Sequence, residues 1–277
     1  MSTAVLGPAA DRPEIDGPCS GAAEDRRPTE GHGQRRRRLL RRPKLRLEIR
    51  DLAHPGTSVF LAAVDPIACV TDAIANVARL LYHATVVDSD AAAADDDDDV
   101  TPFHPPPTRS VTLVLREMPG IAYTASSDLD ADHKEVHLSL AYLARLPSSR
   151  AAAEVAGVVT HELVHCFQHN GLGTCPGGLV EGVADWVRLR CGLAPPHWAR
   201  DHDGGGGWDA GYQTTAYFLD HLDTNLGGDF VPRLNEKLRV CRYDEAAFWY
   251  HLSKMSVQQR WTEYGLGLKA QDHLPDT

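Results

Sequence analysis

The chain has 277 residues, a formal net charge of −10 and 43% hydrophobic residues. That balance gives a buried core and excludes wholesale disorder. The charge is uneven: residues 1–50 hold 12 Lys/Arg against 7 Asp/Glu, and residues 51–277 hold 16 against 31. An acidic body with a basic head excludes a nucleic-acid reader across the whole surface, and no apolar run approaches the ~18–20 residues of a membrane span.

The first segment, 1–43, is polar, rich in Pro and Gly and without periodicity, and reads as a disordered extension. It has no continuous apolar stretch of the secretory kind, so a cytoplasmic or nuclear location is the default. Its notable piece is Arg35 to Arg38, then Leu39, Leu40, Arg41 and Arg42. This is a solvated charge run or, in the functional reading, an import signal or nucleic-acid tether. The six cysteines (Cys19, Cys69, Cys166, Cys175, Cys191 and Cys241) include no C-x-x-C pair, so a cysteine zinc site is not expected; free thiols are the default, with a bridging pair left open.

A single domain is expected over 44–277. Leu45, Leu47 and Ile49 alternate with charged residues, the period of a half-buried strand. Pro66 then precedes Ile67, Val70, Ile74, Val77 and Leu81 at helical spacing. A low-complexity, acidic and Pro-rich insertion at 86–109, with five consecutive aspartates at 95–99, reads as an exposed loop. It lacks the spaced ligands and glycine of a calcium loop. Strands are expected at 111–116, 121–125 and 135–140, with Pro119–Gly120 and 128–132 as turns. Helices are expected at 150–169, 179–191, 208–226, 229–240 and 244–264. A small mixed sheet followed by a mostly helical part is the α+β pattern.

The chemistry is concentrated in His161-Glu162-Leu163-Val164-His165. Residues four apart share a helix face, so both imidazoles can point at one ion, the H-E-x-x-H zinc arrangement. Glu162 is placed to act on a metal-bound water rather than on the metal. Ala156, Val159, Leu163 and Phe167 form the opposite, apolar stripe, giving one wet and one dry face. A catalytic zinc takes a third protein ligand. Glu181 supplies it 16 residues after His165, beyond a Gly-rich turn that lets the next helix fold back. Asp185, one turn on, can accept the second N–H of a ligand histidine. His169 is the rival third ligand, but three ligands along one straight helix converge poorly. The longer pattern needing Gly at 168 and His at 171 is excluded by Gln168 and Gly171.

The runs Thr160 to Gln168 and Gly178 to Leu189, with Ala194-Pro195-Pro196-His197-Trp198 and Trp208 to Leu219, resemble the plant basic secretory protein family, also called peptidases of plants and bacteria. The resemblance covers about residues 44–265. It implies a zincin-like fold, Zn2+ and a gluzincin-like metallopeptidase acting on peptide or protein substrates. His161, His165 and Glu181 are then the ligands, Glu162 the general base and Asp185 the orienting carboxylate. Within the matching Trp208-Asp209-Ala210-Gly211-Tyr212 stretch, Tyr212 is the candidate donor to the oxyanion; His197 is the alternative, and a packing aromatic is the bland one. The strand at 135–140 is expected to edge the cleft and take the substrate backbone. A monomer is expected. Two other classes stay open: a metal-binding module without catalysis, and nucleic-acid tethering through the Arg35 to Arg42 segment.

Overall fold

The computed structural model describes residues 38–88, 102–202 and 206–272. It is a mixed α+β structure with small sheets. In chain order the elements are β1 (Leu39–Arg41), β2 (Lys44–Ile49), α1 (Pro55–Ala63), α2 (Pro66–Tyr82), β3 (Thr85–Val87), β4 (Ser110–Arg116), β5 (Ala122–Ser126), β6 (His133–Ser139), α3 (Leu140–Leu143), α4 (Ser148–Phe167), α5 (Gly177–Arg190), α6 (Tyr212–Asn225), α7 (Phe230–Val240), α8 (Glu245–Ser253) and α9 (Val257–Asp272). Among the described residues no single helix is long and apolar enough to cross a membrane.

Local chemistry explains the elements. α2 starts where the Asp65 side chain accepts from Ala68 N–H at 2.8 Å, with Pro66 in the first turn. It ends at His83, held left-handed at φ 49°. Its Val70, Ile74, Val77 and Leu81 are buried as one stripe. The main sheet has the order β2-β4-β6-β5, with β2, β4 and β6 parallel and β5 antiparallel to β6. Helix α4 is the spine of the domain. It packs on β5 and β6 on one side and on α1, α2 and α5 on others. Trp186 of α5 and Trp249 of α8 join Phe60 and Phe218 in the continuous core.

Several expectations need correction. The strand at 135–140 is not an edge: β6 is paired on both sides, and the outer strand is β5. The extension at 1–43 is ordered at its end, because β1 pairs in parallel with β3, a partner 46 residues away that no local pattern reveals. Residues 1–37, with most of the arginine run, lie outside the described residues, as do 89–101 with the aspartates. The rest of the 86–109 insertion is no exposed loop. Phe103 is in the core, His104 N–H donates to Glu236, and the Thr108 hydroxyl donates to Cys166 O at 3.0 Å. The single helix expected at 244–264 is two, broken at Lys254 with φ 60°. Cys69, Cys166, Cys175 and Cys191 are free, whereas Cys241 is disulfide-bonded, so the default of free thiols does not extend to it and the pairing left open by the sequence occurs there.

Candidate metal centre

α4 and α5 lie antiparallel, and the seam brings three polar pairs together. His165 meets Glu181, His161 meets Asp185, and Glu154 meets Arg188. The approach of α5 to α6 is closer still. A Cβ on Gly182 would lie 2.2 Å from Thr215 Cγ2. The Thr215 side chain cannot turn away, because its hydroxyl donates to Trp208 O at 2.8 Å and accepts from Gly211 N–H at 2.9 Å. A glycine beside Glu181 therefore sets the start of α6, and with it Tyr212, against the histidines.

His161 Nε2 lies 3.1 Å from Glu181 Oε2 and 3.2 Å from His165 Nε2, and His165 Nε2 lies 3.7 Å from Glu181 Oε1. These three residues form the one group of potential metal ligands found among the described residues. Ligand atoms about 2.0–2.2 Å from one tetrahedral ion stand about 3.3–3.6 Å apart, so the spacing is close to that of a zinc-sized cation. The hydrogen bookkeeping agrees. His161 Nδ1 donates to Asp185 Oδ1 at 2.7 Å. Nε2 then faces a carboxylate oxygen, so either its own proton or a cation has to lie between them. Burial disfavours charge on His161, but Asp185, Glu181 and Glu162 outweigh it and raise its pKa to about 10. Burial and the charge on His161 push His165 well below its ordinary value. His165 Nδ1 is buried without a hydrogen-bond partner, so only Asp185 orients a ring of this pair.

Glu162 is 1% exposed and lies beside the two histidines. The Thr124 hydroxyl of β5 sits 2.8 Å from Glu162 Oε2 and 2.9 Å from Glu162 O. The Tyr212 ring is nearly parallel to that of His161, at 11°, with centroids 6.4 Å apart. A cavity of about 580 Å³ opens on this group and is lined by Glu162, Tyr212, His197, Trp198 and Arg188, among others.

The structure thus brings together His161, His165, Glu181, Glu162, Asp185 and Tyr212, and places His197 on the same cavity. It does not bring in His169, whose Nε2 bonds His104 O at 2.7 Å and whose N–H donates to Asn235. The division of α4 into a wet and a dry face does not hold. His161 and Glu162 are as buried as Val159 and Leu163, because α5 and β5 cover that side. Sequence reasoning missed Thr124, which no motif marks, and Arg188, whose partner lies on another helix.

No curated protein and no solved structure is significantly similar to the chain. The family model described as "Peptidase of plants and bacteria" matches residues 42–264, a span that holds β2 to α8 and every residue of the metal centre. The chain belongs to that family of peptidases.

Proposed function

We propose that the chain is a zinc-dependent metallopeptidase with a zincin-like fold. The observation that carries this reading is the convergence of His161, His165 and Glu181, with His161 and the Glu162 carboxylate lining an open cavity. Two imidazoles and a carboxylate form a donor set suited to zinc, with a position left for chemistry. When bound, zinc supplies Lewis-acid polarisation of the scissile carbonyl and acidifies a water.

The chain's own residues do the rest. Asp185 holds the His161 ring through the 2.7 Å bond at Nδ1, keeping Nε2 turned to the ion. Glu162 takes a proton from the attacking water and delivers it to the leaving nitrogen. Thr124 acts as the positioning residue for that carboxylate, through the contact at Oε2. The Tyr212 hydroxyl is the donor assigned to the developing oxyanion, with His197 as the alternative. The substrate runs extended along β5, whose outer edge is open in the sheet order.

The test is zinc content measured together with peptide cleavage, in wild type and Glu162→Gln. Both should hold about one zinc, and only the wild type should cleave. A wild type that cannot be loaded with metal would end this reading.

A further inference from the structure

Two turns before the metal centre, the α4–α5 seam carries a second charged cluster. Arg188 is 8% exposed. Its Nε donates to Leu193 O at 3.0 Å, its Nη2 stands 3.4 Å from Glu154 Oε2, and its Cζ lies 5.3 Å from the Trp198 ring centroid. Glu154 is already engaged by Arg150, 2.7 Å from its other oxygen. Two guanidinium groups therefore share one carboxylate, and one positive charge is left over. Asp185, the other acid on this stretch of α5, is committed to His161.

The position is shaped to hold the charge. A Cβ on Gly157 would fall 2.6 Å from Arg188 Nε and 2.7 Å from Nη2, so α4 provides a slot that only glycine leaves open. A buried guanidinium costs several kcal/mol unless it is well paired, and a single contact at 3.4 Å is at the weak end of hydrogen bonding. Among the described residues, Arg188 Nη1 makes no hydrogen bond. The side chain lines the same cavity as Glu162, between Val158, Tyr142 and Trp198. These largely apolar walls lower the local dielectric and strengthen any ion pair formed there.

We propose that Arg188 is a specificity residue that binds a carboxylate of the peptide substrate. This rests on the peptidase reading above. The guanidinium fork is suited to carboxylates, and the unused Nη1 supplies the bond that Glu154 does not. From Glu154 to His161 is seven residues of helix, about 10 Å along its axis. That is about the reach of three extended residues, so a carboxylate at Arg188 leaves a peptide bond at the metal end. The carboxylate is either the substrate's C-terminus or an Asp or Glu side chain near the scissile bond.

The experiment uses two pairs of otherwise identical peptides. One pair ends in a free acid or an amide; the other, with both ends blocked, carries Glu or Gln at the same position. Cleavage by zinc-loaded wild type is measured as kcat/KM. Binding is measured by calorimetry on zinc-loaded Glu162→Gln. In one pair the acid should be favoured about 10- to 100-fold in both measurements, and that pair identifies the source. Arg188→Gln should reduce the preference to below about threefold. If Arg188→Gln does not fold, Gly157→Ala, which fills the guanidinium's slot, should lower the preference instead. Equal treatment of both pairs by the wild type, or a preference that survives in Arg188→Gln, overturns the proposal. Cleavage without preference sinks this subsite and leaves the peptidase reading standing. Acid-selective binding without cleavage by the wild type does the reverse, and peptides that neither bind nor are cut count against both.

Discussion

Asp185→Asn isolates the most sharply defined bond of the metal centre. The Asp185 side chain is 2% exposed and its Oδ1 lies 2.7 Å from His161 Nδ1. Asparagine is nearly isosteric, so packing is preserved and only charge and proton order change. If the amide presents its oxygen, the bond to Nδ1 survives as a neutral one, roughly half as strong as the charge-assisted original. If it presents its NH2, Nδ1 becomes the acceptor and the ring hydrogen moves to Nε2, where it points at the ion and removes a ligand. The two cases bracket the loss: zinc affinity should fall about 10- to 100-fold, or about 1.4–2.7 kcal/mol. Chelator competition reads this directly, with circular dichroism confirming the fold. Asp229→Asn, at a half-exposed pair with Arg233, is the control and should change nothing. A folded Asp185→Asn protein with wild-type zinc affinity would show that the carboxylate does not orient the ring.

Glu181→Ala should cost far more zinc affinity than His169→Ala, since His169 is engaged with His104 and Asn235; the opposite order in chelator competition would overturn the ligand set. Thr124→Val should lower kcat about tenfold with KM and zinc content unchanged, and Thr124→Ser should restore it; a Val variant as fast as wild type removes Thr124 from the mechanism. Gly182→Ala should destabilise by about 1–3 kcal/mol in denaturant melts, because the new methyl meets a Thr215 side chain held by two hydrogen bonds. An unchanged midpoint would mean α5 and α6 can separate freely.

What could be read from the sequence was whatever depends on spacing within one element. Pro66 with the Val70, Ile74, Val77 and Leu81 stripe defined α2, although Ile67, read into the same stripe, is exposed, and His161 and His165 at four residues defined the histidine-bearing side of α4. Glu181 and Asp185 were legible for the same reason, one turn apart on one helix. What was not legible depends on neighbours far along the chain. The contact of Thr124 with Glu162 spans 38 residues and the ion pair of Arg188 with Glu154 spans 34. The outer position of β5 follows from sheet order, which alternation alone does not fix. α1 escaped because its cap is a histidine, His54 accepting from Gly56 N–H, and its first turn holds Gly56 and Thr57, which are weak helix formers. The break between α8 and α9 escaped because Lys254 takes the left-handed conformation where glycine or asparagine would have advertised it.

The seam between α4 and α5 ties these features into one device. Along α5, Glu181 offers its carboxylate to the two histidines, Gly182 lets α6 close in, Asp185 bonds His161 and Arg188 enters the slot at Gly157. The face changes from acidic to basic within two turns, and the cavity spans that change. Because one rigid helix carries all four residues, the distance from the metal centre to the guanidinium is set by helix geometry rather than by loop conformation. If Arg188 binds a substrate carboxylate as proposed, that substrate would reach the metal end with its backbone already placed, and binding energy gained at the far end of the cleft would be available to orient the bond that Glu162 would serve.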